Sequence, residues 1–283
     1  MPKGSIKVNE PPPPTLTVPP EHSTKYKGVK HTILVMSGKG GVGKSTFSVN
    51  LAVSLASMGY RVGLIDADIN GPDDPKMLGV SEMKLYARDN LIMPVQSKYG
   101  VSVISMGFML PNENTAVIWR GALRHKAIKQ FLEDVYWENT DFVIVDFPPG
   151  TGDEAISVAQ LIPEATDGVI IVITPQEVAL LDAKKVLNFA EMLKVKVIGL
   201  VENMSGFVCP HCGNEVDIFK KGGGESIARS NNIDFLGRIP IIPEIVNSSD
   251  SGVPAVTTDR TTKKIYEEIS TKIVKKLSGK PKG

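Results

Sequence analysis

The sequence predicts an α/β fold, a doubly wound and mostly parallel sheet flanked by helices, and three observations carry that prediction. From Thr32 onward short β-branched runs alternate with longer helical patterns, the order of a parallel sheet covered on both faces. The 283 residues are 42% hydrophobic and 22% charged, the composition of an ordinary globular chain that can build a sizeable core, so disorder is confined to local segments. A glycine-rich stretch, Ser37 to Thr46, stands directly between a strand pattern and a helix pattern, at the edge where open α/β sheets bind ligands.

In chain order, Pro11 to Pro20 holds six prolines in ten residues, which fixes φ and removes backbone donors. Residues 1–28 are therefore expected to form a disordered, proline-rich arm, and residues 29–279 a single domain. Strands are expected near Thr32–Met36, Arg61–Ile65, Val101–Ser105, Phe142–Val145, Gly168–Thr174, Lys196–Glu202 and Phe235–Ile239. Helices are expected at Lys44–Met58, Leu123–Tyr136, Glu154–Leu161, Ala179–Leu193 and Thr262–Leu277, with Gly59 as a C-terminal stop after the first. The stretch at about 204–224 fits neither period, carries both cysteines and ends in Gly222, Gly223 and Gly224, and so is expected as an inserted loop. There is no internal repeat.

Charge and hydropathy exclude several function classes. Thirty-two basic and thirty-one acidic residues leave a net charge of +1, which provides no global field for nucleic acid or anionic lipid. The longest apolar runs, such as Gly168–Thr174, fall far short of the roughly 20 residues that cross a bilayer, and no basic-then-apolar leader opens the chain. The expectation is a cytoplasmic protein with neither a membrane nor a nucleic-acid partner. Two cysteines, Cys209 and Cys212, are too few for a disulfide framework, and their closeness calls for a chemical reason.

The glycine-rich stretch, SGKGGVGKST, satisfies G-x-x-x-x-G-K-[ST] in its required context and reads as a phosphate-binding loop. Gly38, Gly40, Gly41 and Gly43 let the backbone wrap closely around phosphate oxygens, Val42 lies among them, and Lys44 adds a full charge at the β and γ phosphates. Ser45 can place its hydroxyl on Mg²⁺ and Thr46 can reach the α phosphate. Lys39 is a second lysine inside the loop, which by itself reads equally as a solvated side chain. Val62 to Asp68 is an apolar strand followed by two aspartates, Asp66 and Asp68, two apart and so expected on the same face. Asp68 is expected to orient or deprotonate the attacking water and to take part in Mg²⁺ binding; a helix cap or turn former is the alternative. Asp141 to Asp146 repeats the pattern as a Walker B strand, with Asp146 holding a water of the Mg²⁺ shell. After it, Phe147-Pro148-Pro149-Gly150-Thr151-Gly152-Asp153 mixes stiff and permissive residues, suited to a loop that switches when the γ phosphate leaves or, alternatively, to a rigid turn. Asn203 and Pro240 follow two later strands, where an amide and a backbone group can meet adenine.

Cys209-Pro210-His211-Cys212 has the thiol spacing of half a tetrahedral thiolate site, and one such pair cannot fill it. An iron–sulfur cluster shared by two chains, a bridging zinc and a redox dithiol are the readings left open. The redox reading lacks the helix that its first thiol needs, because Gly213 and Asn214 follow.

GKGGVGK[ST] resembles the deviant Walker A loop of the MinD/ParA/NifH group, and that resemblance implies that Lys39 reaches the partner's nucleotide across a dimer. In those families an Asn and a Pro at the places of Asn203 and Pro240 hold adenine, which favours ATP. Together, GKGGVGKST, IDADINGP, DFPPGTGDE, the Asn203 segment and CPHC resemble the Mrp/ApbC family of iron–sulfur cluster carrier P-loop ATPases, from Lys30 to the final helix. The resemblance implies a homodimer that binds and slowly hydrolyses ATP with Mg²⁺. It also implies a labile [4Fe-4S] cluster between two Cys209/Cys212 pairs, received from a scaffold or donor and delivered to apo iron–sulfur proteins. The chain departs from the family at the proline-rich arm and at Gly71-Pro72-Asp73, where the family usually has Ser in third place. The alternative is a MinD/ParA-like positioning ATPase acting on a membrane or nucleoid. A stripe of Ile265, Ile269, Ile273 and Leu277 among lysines is its support, and a terminal helix packed on the sheet explains that stripe equally well.

Overall fold

A computed structural model of the chain describes residues 26–68, 71–89, 91–109, 129, 134–160, 162–163, 166–209, 212, 214–216, 218 and 221–279. Most of the proline-rich arm and of the expected helix Leu123–Tyr136 lies outside the described residues.

The strands are β1 (Val29–Met36), β2 (Val62–Asp66), β3 (Tyr86–Arg88), β4 (Leu91–Met93), β5 (Val95–Gln96), β6 (Val101–Ser105), β7 (Thr140–Asp146), β8 (Gly168–Ile173), β9 (Val197–Val208), β10 (Glu215–Val216) and β11 (Phe235–Ile241). The helices are α1 (Lys44–Ser57), α2 (Asp74–Met77), α3 (Asp153–Ala159), α4 (Glu177–Met192), α5 (Gly223–Ser230), α6 (Pro243–Asp250) and α7 (Arg260–Ser278). The main sheet runs β11-β9-β8-β1-β7-β2-β6-β5, with β10 on the far end of β9. Every pairing in it is parallel except β5 with β6 and β10 with β9, so the fold is the expected mostly parallel α/β sheet.

Both faces are covered. Ile33 and Val35 of β1 pack with α1 and α7 through Phe47, Leu51, Leu55, Tyr266 and Ile273, whereas Leu34 and Met36 pack on the other side with Val158, Val186 and Phe189 of α3 and α4. Successive side chains of a strand point to opposite faces, so a strand buried on both sides must be apolar at every position. That requirement explains why the runs at β1, β7 and β8 read so clearly in the sequence.

All seven expected strands are present, and the differences lie at ends and in short elements. β9 continues past Glu202 to Val208, so the first part of the expected loop at 204–224 is strand, and Glu215–Val216 returns antiparallel to Phe207–Val208. Met204 and Gly206 both have positive φ, 56° and 78°, and this interruption of regular pleating hides the strand from a period-2 reading. Val135 and Tyr136, expected as the end of a helix, lie instead beside β4: Val135 bridges Ile92, and the Tyr136 amide donates to the Ile92 carbonyl at 3.0 Å. α2, α5 and α6 are too short to show a clear helical period.

The apolar stripe of the last helix is used inside the molecule. Ile269, Ile273 and Leu277 are buried on the sheet beside Tyr266, and Lys272 and Lys276 each donate at 2.7 Å to carbonyls of Leu236 and Ile198. The packed reading of the stripe therefore holds, with long lysine stems lying along the sheet edge. Among the described residues no helix is long and apolar enough to cross a membrane.

Asp141 ties the entrance of β7 to its neighbours, accepting from Lys30 Nζ at 2.7 Å and from the Arg61 amide at 2.8 Å. Partial burial pushes its carboxyl up, but these donors outweigh it and hold the group below the usual carboxylate range. A depressed folded-state value contributes stability that is present at neutral pH and is lost as the pH falls below about 4. Asp141→Asn is expected to lower stability by at most about 1 kcal/mol at pH 7, because Lys30 is largely exposed. The difference from the parent should shrink in urea titrations at pH 3, and a constant difference would reject the ionic account.

Candidate functional site

β1 ends at Met36 and α1 begins at Lys44, and the turn between them curls around a cavity of about 190 Å³. Lys39, Gly40, Gly41, Gly43, Lys44, Ser45 and Thr46 line it, faced by Asp68, Asp73, Met77 and Pro149. The N-terminus of a 14-residue helix opens onto this space, which places unpaired amides and the positive end of the helix dipole where an anion would sit. Gly43 has φ +83°, and a Cβ there would stand 2.2 Å from Asn203 Nδ2, so a side chain would strain the backbone and push the Asn203 amide away.

Two predicted loop residues face elsewhere. Gly38 lies against α4, where a Cβ would come 2.6 Å from Asp182 Cβ. The Val42 side chain is buried in the core, and its carbonyl accepts from Asn203 Nδ2 at 2.8 Å. Gly150 of the expected switch donates its amide to the Ser37 carbonyl at 2.9 Å, which fastens the Asp146–Asp153 segment to the phosphate loop.

Beneath the cavity floor lies a buried polar cluster. Lys44 Nζ donates to Asp146 Oδ2 at 2.6 Å, Ser45 Oγ donates to the same oxygen at 2.7 Å, and Ser48 Oγ donates to Asp146 Oδ1 at 2.5 Å. Sheet register brings Asp66 beside Asp146 and Ser105, and Ser105 Oγ donates to Asp66 Oδ2 at 2.9 Å. Asp74, first residue of α2, completes the group. Burial, and after it the charge of Asp146, pushes the carboxyls of Asp66 and Asp74 well above the usual range. For Lys44, burial acts downward, yet the Asp146 carboxylate outweighs it and the ammonium is held above its ordinary value.

The expectation that Asp66 and Asp68 share one face of a strand needs correcting. β2 ends at Asp66, which is buried, and Asp68 lies beyond the strand, where it lines the cavity and accepts from the Gly71 amide. Sequence reasoning also missed Ser48 and Asp74. Ser48 falls one helical turn after Lys44, a spacing that could have revealed it. Nothing local marks Asp74, since an acid in the first turn of a helix is normally solvated.

Asn203 and Ile239 are register partners on β9 and β11, which sets Pro240 next to Asn203 at the C-terminal sheet edge. Neither Asn203 nor Pro240 is among the described residues lining the cavity. Asn203 braces the loop from behind through Val42. The adjacent Glu202 is fully buried; it accepts from Ser205 Oγ and from the amides of Gly222 and Gly224, and Arg238 Nε lies 3.4 Å away. β9 thus carries the phosphate-loop brace, a carboxylate that pins the chain returning from the cysteine segment and, immediately after its last residue, Cys209. The Cys209 amide donates to the Asn214 carbonyl at 2.9 Å across the turn, and Cys212 is exposed. The two thiols therefore sit on a hairpin at the same sheet edge as the cavity and are not disulfide-bonded.

A family model described as ParA, NUBPL iron-transfer P-loop NTPase, matches residues 28–277. The chain belongs to that family. Its resemblance to the Mrp/ApbC carriers, read from the motifs, is borne out by relatives that match over most of their length. The iron-sulfur cluster carrier protein of Methanocaldococcus jannaschii is 49% identical over 252 residues, covering 89% of this chain and 87% of that protein. The cytosolic Fe-S cluster assembly factor CFD1 of Saccharomyces cerevisiae is 43% identical over 248 residues, covering 86% and 84%. Among solved structures, a nucleotide-binding protein from Archaeoglobus fulgidus in complex with ADP superposes with TM-score 0.70 at 36% identity, over 82% of this chain and 90% of that one. MinD from Pyrococcus horikoshii with Mg-ADP has TM-score 0.67 at 22% identity, covering 88% and 98%, and shares the P-loop NTPase fold.

Proposed function

We propose that this family member is an ATP-binding and ATP-hydrolysing iron–sulfur cluster carrier. It holds a labile [4Fe-4S] cluster between the Cys209/Cys212 pairs of a homodimer and delivers it to apo iron–sulfur proteins in the cytoplasm. The observation that carries this reading is the accessible two-thiol hairpin that continues β9, the strand whose Asn203 braces the phosphate loop. Two thiolates complete a cubane only with two more, which a second copy supplies. The names of the relatives support the same chemistry.

Lys44, Ser45 and Thr46 bind the nucleotide phosphates, Lys39 contacts the partner's nucleotide, and Asn203 and Pro240 frame the adenine. The residues fit Mg²⁺, since Ser45 and Asp146 are already in contact and Asp68 lines the same cavity; bound there, the ion would neutralise phosphate charge. Asp68 orients the attacking water. Lys44 must leave Asp146 to reach a phosphate, and the switch held by Gly150 to Ser37 moves with that loop. Nucleotide can change cluster affinity only by binding two dimer geometries unequally.

The test is iron and acid-labile sulfide per dimer after anaerobic reconstitution. About four of each in the native chain, lost in Cys209→Ala, is the expected result. Zinc without sulfide, or no metal, would overturn carriage. The positioning alternative loses its support in the sequence, because the stripe on α7 is spent on the core.

A further inference from the structure

One oxygen from each of Asp66, Asp74 and Asp146 lies within 4.8 Å of the other two, and all three residues are buried. Their surroundings differ. Asp146 accepts from Lys44, Ser45 and Ser48. Asp66 accepts from the Ser105 hydroxyl and from the Asp68 amide at 3.2 Å. Asp74 is 0% exposed, and among the described residues neither of its oxygens has a hydrogen-bond partner. A buried carboxylate with no donor is among the least tolerable groups in a protein interior and implies a missing counter-charge.

Lys44 is a cation acting on both Asp66 and Asp74. Fully ionised, the three carboxylates and one ammonium carry a formal charge of −2 in a dry site, which one dication would neutralise. All-oxygen donors select the hard ions Mg²⁺, Mn²⁺ and Ca²⁺, and oxygens on opposite sides of such an ion stand roughly 4–5 Å apart. Access exists, because Lys44 and Ser45 both line the cavity and both touch Asp146.

We propose that Asp66, Asp74 and Asp146 form a seat for one divalent cation, of the Mg²⁺ or Mn²⁺ class, that fills without nucleotide. Asp74 is its distinguishing ligand, held at the start of α2 and contributed by no phosphate-binding motif. The seat does not depend on iron–sulfur carriage, so iron content and occupancy of this seat can fail separately.

The test uses the full chain, freed of nucleotide by apyrase and of metal by EDTA, titrated with Mn²⁺ while free ion is followed by electron paramagnetic resonance. Mn²⁺ is chosen because thiolates such as Cys209 and Cys212 favour softer ions. The expected result is about one Mn²⁺ per chain, displaced by Mg²⁺, and bound at least tenfold more weakly in Asp74→Asn with an unchanged circular dichroism spectrum. No stoichiometric site in the native chain, a site that appears only with ADP, or unchanged binding in Asp74→Asn would overturn the proposal and leave protons as the counter-charge. If Asp74→Asn does not fold, thermal unfolding of the native chain decides. A midpoint raised by Mg²⁺ alone supports the seat, and an unmoved one rejects it.

Discussion

Lys44→Met should weaken nucleotide binding sharply and also destabilise the free protein, a pairing of effects not expected of a purely ligand-binding lysine. The ammonium is the counter-ion of a fully buried carboxylate, at 2.6 Å, and among the described residues the hydroxyls of Ser45 and Ser48 are the side-chain donors left on Asp146 once it is gone. Removing one partner of a buried pair strands the other, which costs about 3–5 kcal/mol. Affinity for ADP should fall by roughly 10- to 150-fold, since a charge-assisted hydrogen bond to phosphate contributes roughly 1.5–3 kcal/mol. The stability deficit, measured by urea unfolding in EDTA, should narrow as the pH falls, because a proton taken up by the carboxylate cluster replaces the lost charge. Lys39→Met provides the contrast: this half-exposed lysine lines the same cavity, so its loss should change stability by no more than about 0.5 kcal/mol. Equal stability of Lys44→Met and the parent would mean that the ion pair contributes nothing to the fold.

The second large effect is expected at Glu202, which touches neither the cavity nor the thiols. Its carboxylate gathers two amides, a hydroxyl and Arg238 at the point where the chain returns from the cysteine hairpin into α5. Glu202→Ala leaves the Ser205 hydroxyl and the Gly224 amide buried without this acceptor, a local loss of about 2–4 kcal/mol, while the partly exposed Arg238 keeps its pairing with Glu225. Amide exchange at Gly222 and Gly224 should accelerate by at least about thirtyfold, and under the proposed carrier role the reconstituted protein should lose iron faster than the parent. ADP binding should persist, because the Lys44–Asp146 pair shares none of these contacts. Glu202→Gln, which keeps the shape and one acceptor oxygen, should fall between the two. Unaltered exchange at Gly222 and Gly224 in Glu202→Ala would show that the hairpin is held by other means.

Much of the site is legible in the order of residues alone. The cavity-lining stretch with Lys44, Ser45 and Thr46 is readable because its neighbours in sequence place it, a glycine run with a strand before and a helix after, and Asp68 and Asp146 are readable as acids at or just past strand ends. β7 and β8 are readable because burial on both faces forces nearly unbroken apolar runs, whereas β11, with Gly237, Arg238 and Pro240, is only partly buried and is marked by its flanking turn residues. β10, α2, α5 and α6 are not, because elements of two to eight residues are stabilised by what they pack against and carry too little periodicity of their own.

The sequence by itself determined the fold class, the family and the place of the glycine-rich loop between β1 and α1, since each is written in short-range patterns of residue type. Tertiary structure alone decided that Asp66 and Asp74 join Asp146 beneath the loop and that Asn203 braces that loop from behind. It also decided that the lysine-rich last helix turns its apolar stripe inward. The physical reason is register. In a parallel sheet the strand neighbours Asp66 and Asp146 are separated by a long crossover, so no local pattern encodes their meeting. Only the sheet's hydrogen-bond ladder and the packing of α2 against its edge bring three carboxylates and one lysine into a single dry volume.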